Sequence, residues 1–418
     1  MHTTGTIVIG GGQAGLAMSR CLVDRGIDHV VLERGRLGER WRSERWASLR
    51  LLTPNWQTRL PGFRYEGPDP DGYMTMPEVV ALLEAYARSF LAPVEHGTTV
   101  HSVSRTDEGF EVTTDRDAWR ATSVVLATGY CDSPDVPPLA AALAPDILQL
   151  VPTRYRTPDQ LPRGGVLIVG ASSSGIQLAD EIQASGRSVT LAVGRHTRLP
   201  RMYRGRDILW WFDAMGIFSE TIEQVYDKEI SRRQPSLQLV GRPDHASLDL
   251  PILQGRGVRL TGRLRAVEGT RVSFADDLVA HTVSADVRLA RLLQRIDAFA
   301  RASGLDHAAP EPFVPFLWPS EPPESIDLRV EGIRTVIWAT GFRRHYPWLH
   351  VPVLDTRGEI LHDGGVTPVP GLYAMGLQFM RRRNSSFLDG VGADAEVLAE
   401  DIAEWLDGRA GGRIRWTA

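Results

Sequence analysis

Two short stretches carry residues whose types and spacing could hold a nucleotide. The first is Gly10-Gly11-Gly12-Gln13-Ala14-Gly15, directly after the apolar run Ile7-Val8-Ile9. It satisfies G-x-G-x-x-G. In that pattern Gly10 permits a tight turn, Gly12 lets a pyrophosphate reach the backbone, and Gly15 lets helix and strand pack closely. A helix starting at Gln13 and Ala14 would offer unpaired N–H groups and the positive end of its dipole to phosphate. Glu33 ends the next apolar run, His29-Val30-Val31-Leu32, 23 residues after Gly10. That is close to the roughly 20-residue spacing of the acid that binds a ribose hydroxyl.

The second stretch is Gly170-Ala171-Ser172-Ser173-Ser174-Gly175, after Val166-Leu167-Ile168-Val169 and with Gln177 following. Ser172 stands where the middle glycine would be, and its hydroxyl is expected to cap the helix. The next run, Val189 to Val193, ends in Gly194-Arg195-His196-Thr197-Arg198, with no acid. An acid repels a 2′-phosphate, whereas arginine binds one. The site with the acid therefore suits FAD. The site with Arg195, His196 and Arg198 suits NADPH, the plainer alternative being that both arginines are solvated surface charges. Hydride would pass from nicotinamide to flavin where the two sites meet.

These motifs need two strand-turn-helix units to position them, and the chain is long enough for two or three domains at 418 residues. The expected class is α/β: two Rossmann-like dinucleotide-binding domains of the three-layer ββα/βαβ type, the NADPH domain inserted into the FAD domain. The FAD domain is expected over 1–150 and 326–418 and the NADPH domain over 151–325, with a helical, Trp-rich insertion over about 205–325. Val100 to Val103 and Phe110 to Thr113 alternate in character and suggest a meander. Two apolar runs lead into Ala127-Thr128-Gly129-Tyr130 and Ala339-Thr340-Gly341-Phe342. This repeat marks where the chain leaves one domain and re-enters the other. Prolines 134, 137 and 138, and prolines 310, 312, 315, 319, 322 and 323, read as linkers. Leu209-Trp210-Trp211-Phe212 and Phe316-Leu317-Trp318 could line a substrate pocket, pack locally or form a homodimer contact. Val283, Val287, Leu289, Leu292, Leu293, Ile296 and Phe299 have helical spacing and read as core. Residues 393–407 read as a closing amphipathic helix against the first sheet.

Composition narrows the class further. A net charge of -4 gives no reason to expect a nucleic-acid partner. Cys21 and Cys131, far apart, make neither a C-x-x-C nor a zinc site. The eleven histidines show no metal-ligand spacing, so no metal is expected. No run of about 18 apolar residues suggests a membrane span. The start of the chain enters a strand at once, leaving no room for a signal peptide, and a cytoplasmic location is expected.

Further stretches carry a family resemblance. Gly38-Glu39-Arg40-Trp41-Arg42 is similar to a G-G-x-W segment, and Leu52-Thr53-Pro54-Asn55-Trp56-Gln57, with Leu60-Pro61-Gly62-Phe63, is similar to a loop beneath a flavin ring. Tyr73 to Glu78 matches the start of a helix, and Arg383-Asn384-Ser385-Ser386-Phe387 with Asp389 to Gly392 matches a closing C-terminal segment. With two glycine turns and two A-T-G exits, the whole chain resembles the class B flavin-dependent monooxygenases, which include the FMO and YUCCA groups. The resemblance implies FAD contacts from Gly10, Gly12, Gln13, Ala14, Gly15, Glu33, Arg34, Arg40, Trp41, Thr53, Trp56, Val100, Ala127, Thr128, Gly129, Gly376, Asn384, Ser385 and Ser386. It implies NADPH contacts from Gly170, Ser172, Ser173, Ser174, Gly175, Gln177, Arg195, His196, Arg198, Ala339, Thr340 and Gly341.

The implied reaction is reduction of FAD by NADPH, reaction of dioxygen at flavin C4a, and transfer of one oxygen atom to a small organic substrate by N-, S- or Baeyer–Villiger-type oxygenation. Asn55 is the candidate polar group beside the reacting flavin, the alternative being a turn residue after Pro54. The family fingerprint F-x-G-x-x-x-H-x-x-x-[FY] is broken: Pro145, Ile147 and Val151 replace its first three residues and Tyr155 alone remains. An NADPH-driven oxidase or reductase, or a non-catalytic nucleotide-binding flavoprotein, are the alternatives that this break leaves open.

Overall fold

The computed structural model describes residues 1–317 and 322–410; Trp318 and Pro319, named above, lie outside the described residues. Ile7 and Val8 are fully buried because their strand, His2–Ile9, is central to a sheet covered on both faces. It lies between His29–Glu33 and Ala118–Leu126, parallel to both. Val94–His96 extends one edge in parallel, and Leu372–Ala374 also pairs with Ala118–Leu126. Gly109–Thr114 and Val100–Thr106 continue the sheet antiparallel, as the expected meander. Helices Gln13–Asp24, Met76–Ser89 and Val391–Ala410 pack on this unit. The second of them opens with a reciprocal capping box between Thr75 and Glu78, which satisfies two otherwise orphaned donors.

The second sheet repeats the plan. Its five strands are all parallel, in the order Leu148–Leu150, Ile333–Trp338, Gly165–Val169, Val189–Ala192, Arg259–Thr261. Ile9 pairs with Leu32 as Val169 pairs with Ala192, so from the first strand through the end of the second each position lies 160 residues after its counterpart. A meander accompanies this sheet too, from Leu264–Glu268, Arg271–Phe274 and Ser325–Asp327. The fold is thus two Rossmann-type units, the second within the span of the first.

Three expectations change. Leu148–Leu150 and Ile333–Trp338 both belong to the second sheet, so neither 150 nor 326 marks the crossing. The crossing is made by Ser133–Pro134 and Phe342–Arg343, which pair antiparallel, with Asp135 N–H donating to Gly341 O at 2.9 Å. The prolines from 310 to 323 accordingly precede the last strands of the inserted unit and are not its exit. Within what reads as a helical insertion, Arg259–Thr261, Leu264–Glu268 and Arg271–Phe274 are strands; at three to five residues each they are too short for a period to stand out.

The remaining insertion has its own core. Leu209, Trp211, Phe212 and Phe218 are buried with Leu289, Leu293 and Ile296 of the long helix Leu278–Ala302, and Trp211 Nε1 donates to Tyr203 O at 2.7 Å. Local packing is therefore the role of Trp211 and its neighbours. Val283 and Val287 are not core: they stand 46% and 43% exposed. The buried stripe runs through Thr282, Ala285, Leu289 and Leu293, one position round the helix from them. Among the described residues no helix is long and apolar enough to cross a membrane.

Candidate functional site

Each unit builds a cradle from its glycine turn. Gly10 has φ +112°, and a Cβ there would stand 2.6 Å from Ala127 O. Its twin Gly170 has φ +107°, and a Cβ would stand 2.3 Å from Ala339 O. The A-T-G repeats are thus the backs of the two turns. Ala127 N–H donates to Ile9 O at 2.9 Å and Ala339 N–H to Val169 O at 2.8 Å. No side chain caps either following helix, Gln13–Asp24 or Ser173–Ala184. The expected Ser172 cap is absent, and the first-turn donors stay available to an anion.

The first cradle is closed by Glu33, which is buried and accepts from Gly11 N–H at 2.7 Å and from Gly35 N–H at 2.8 Å. Thr98 N–H donates to the main-chain Glu33 O, which holds the Gly97 to Val100 segment against the end of the Glu33 strand. A Cβ on Gly12 would meet no protein atom within 4 Å. Gly376, at φ +73°, lies against Ala14, where a Cβ would be 2.7 Å from the alanine methyl. Gln13 Nε2 donates to Ser386 O at 3.3 Å. The C-terminal segment therefore folds over the start of the first helix.

Beyond that helix stand two facing segments, 53–61 and 384–392. Arg59 pairs with Asp389, Asn384 Nδ2 donates to Asp389 Oδ2 at 3.1 Å, and Gly392 packs on Pro61. Between them they hold buried polar atoms without a protein partner: Asn55 Oδ1, both amide atoms of Gln57, Thr58 Oγ1 and Asn384 Oδ1. An unsatisfied buried group costs about 1–3 kcal/mol. Such a concentration, next to an uncapped helix and an open glycine, is the signature of a site that a polar, planar group completes. The residues present therefore fit a dinucleotide whose ring system reaches these segments.

Several expected residues have other duties. Arg198 is nearly buried between Asp249 and Asp286, at 2.8 and 2.7 Å, and is spent there. The His196 ring is 1% exposed and turned inward, its Nδ1 2.9 Å from Gly194 O, and burial lowers its pKa. Gln177 Nε2 donates to Leu239 O at 2.8 Å and to Ser173 Oγ, tying the helix to the insertion. Ser385 Oγ accepts from the N–H groups of Arg381 and Arg382 and shapes the turn. Thr340 Oγ1 donates to Asp135 O across the paired linkers. Arg40 binds Cys131 O and Asp132, Trp41 carries the Arg45 guanidinium 5.4 Å above its ring, and Trp56 carries that of Arg59. Arg34 pairs with Glu44 at 3.6 Å. Thr53, Thr128 and Ser174 are half-buried beside their turns, and Arg195 is exposed. Asn55 is both turn and polar group: it starts the turn Asn55–Gln57, its Nδ2 donates to Asp69 O at 2.8 Å, and its Oδ1 stays unpaired.

Sequence reading missed Gln57, quoted only as part of a loop, and Gln238. Gln238 Nε2 donates to Ala171 O at 2.6 Å in the second glycine turn, and its Oε1 is unpaired. No motif marks it; a buried glutamine in an irregular insertion gives no signal. The two domains are also locked together. Arg201, fully buried on the inserted unit, binds Asp207, donates from Nη1 to Leu52 O at 2.8 Å and sits 5.1 Å over the Tyr73 ring. The Tyr73 hydroxyl donates to Asp207 at 2.7 Å.

A family model described as pyridine nucleotide-disulphide oxidoreductase matches residues 7–205. An uncharacterized CzcO-like oxidoreductase from Geobacillus kaustophilus is 35% identical over 96% of this chain and 99% of its own. Indole-3-pyruvate monooxygenase YUCCA1 from Oryza sativa subsp. japonica is 29% identical over 96% of this chain and 92% of its own. A flavin-containing monooxygenase from Stenotrophomonas maltophilia has a similar structure, with a TM-score of 0.66 at 22% identity, covering 97% of this chain and 99% of that one.

Proposed function

The chain belongs to the CzcO-like bacterial branch of the flavin-dependent monooxygenase family, and on that premise we propose that it is an FAD- and NADPH-dependent monooxygenase. Its substrates are dioxygen and a small organic molecule. FAD would lie in the first cradle, its pyrophosphate at Gly12 to Ala14, its ribose at Glu33 and its ring between segments 53–61 and 384–392. NADPH would lie in the second, on Ser172 to Gly175. The bound flavin supplies hydride acceptance and oxygen activation. The chain's own residues bind, orient and exclude water. The observation that carries this reading is the set of unpaired amide atoms: the side-chain oxygens of Asn55 and Asn384 and both ends of Gln57. They offer hydrogen bonds in a dry site, as a flavin that must hand on oxygen requires.

A disulfide-reducing role is less favoured by the thiols. Reactive thiols have depressed pKa values, whereas burial pushes Cys21 up to about 12 and raises Cys131 as well. The reading predicts that NADPH turnover under 18O-labelled dioxygen places one labelled atom in product for each substrate oxidised. Hydrogen peroxide formed in full proportion to NADPH, whatever substrate is added, would make the protein an oxidase instead. Gln57 gives a narrower test. Gln57→Met removes a buried amide whose two ends are unpaired, so the apoprotein should melt no lower than wild type. FAD affinity should fall about 5- to 150-fold, the worth of about 1–3 kcal/mol. Equal FAD affinity in a calorimetric titration would remove Gln57 from the site.

A further inference from the structure

Arg288 lies on the long helix Leu278–Ala302, far in sequence from any glycine turn. Its Nη2 donates to His196 O at 2.7 Å and its Nη1 to Ser284 Oγ at 2.7 Å. That carbonyl belongs to the residue after Arg195, so the helix brings a second guanidinium to the end of the Val189–Ala192 strand. Both side chains are exposed, and partial burial and then the Arg195 charge lower the Arg288 pKa. Among the described residues neither forms an ion pair with a carboxylate, and the two nearby acids, Asp249 and Asp286, are taken by Arg198. The buried His196 ring adds no charge to this edge. In the first cradle the corresponding position is Glu33; in the second, 160 residues on, it is the fully buried Val193. Two like charges without a counter-ion are unfavourable until an anion joins them. Two of the five Arg288 N–H donors are spent on protein, leaving three for a ligand.

We propose that Arg288 joins Arg195 in seating the 2′-phosphate of the nicotinamide cofactor, so that the insertion helix shares in choosing the phosphorylated form. This rests on the reading of the second cradle as an NADPH site. Arg288 is fixed in advance by His196 O and Ser284, while the exposed Arg195 closes from the strand side. A phosphate held by two guanidiniums is bound by charge-assisted hydrogen bonds from two directions.

The test is calorimetric binding of 2′,5′-ADP and of 5′-AMP to the FAD-reconstituted protein, wild type, Arg195→Gln and Arg288→Gln, with melting curves to confirm folding. Arg288→Gln should weaken 2′,5′-ADP about 10- to 100-fold, as loss of a charged hydrogen bond does, and leave 5′-AMP within about twofold. Arg288→Lys should retain part of the preference. If Arg195→Gln loses the preference and Arg288→Gln keeps it, the inference falls while the NADPH reading stands. If Arg288→Gln weakens both probes equally, Arg288 merely supports the fold near His196 and the inference also falls. If the wild type binds the two probes alike, the NADPH reading itself fails and takes the inference with it.

Discussion

Gly15→Ala is expected to give a protein that folds without flavin, and Gly175→Ala a yellow protein that NADPH no longer bleaches. A methyl on Gly15 would stand 1.9 Å from Gly10 O, and one on Gly175 would stand 1.8 Å from Gly170 O. Both obstacles are backbone, so no side chain can swing aside. The helix must move off its strand by about 1 Å or more, which overpacking data put at about 1–3 kcal/mol of stability. The larger effect is on binding. The displaced first-turn N–H groups no longer meet the pyrophosphate, and affinity should fall by at least about 100-fold in the altered cradle. Because the repeats are separate, each variant should spare the other site. Absorbance after FAD reconstitution reads the first, and anaerobic NADPH mixing reads the second. Flavin retained normally by Gly15→Ala would show that the first cradle is not where it binds.

Arg201→Met is expected to cost about 3–5 kcal/mol, the usual effect of removing one partner from a buried ion pair. Asp207 would keep the Tyr73 hydroxyl and the Leu209 N–H but lose its only buried cation among the described residues. The damage should not be confined to stability. Arg201 Nη1 holds Leu52 O, immediately before the Thr53 to Gln57 loop, and the backbones meet nearby, where a Cβ on Gly241 would be 2.1 Å from Leu51 O. Loosening this seam changes how the two cradles face each other. Below its melting temperature the variant should bind both nucleotides near wild-type affinity yet pass hydride more slowly. A chemical-denaturation midpoint and single-turnover reduction measure the two effects separately. A variant as stable as wild type would mean that Asp207 is satisfied without the arginine.

Much of this organisation is legible in the sequence because glycine turns are local. Gly10 to Gly15 and Gly170 to Gly175 specify their own geometry, and Glu33 follows from spacing along one short unit. The A-T-G repeat is legible as a pattern, although its role as the back of each turn needs the strands paired. What escaped is non-local. Arg195 and Arg198 sit three residues apart in one basic run, and only Asp249 and Asp286, from distant elements, decide which of them is spent. Arg288 reaches His196 across 92 residues. The strand Arg259–Thr261 is short, with one arginine at its edge, and gains its identity from pairing with Val189–Ala192. Val283 and Val287 satisfy a helical period, yet a helix of 25 residues offers more apolar positions than one face can bury.

The central claim is a flavin in the first cradle that accepts hydride from a nicotinamide in the second, and anaerobic titration of the FAD-reconstituted protein with NADPH tests it most directly. One equivalent of NADPH should bleach the visible flavin band of one equivalent of protein. A protein that stays colourless with FAD, or a yellow one whose band NADPH leaves untouched, would contradict it.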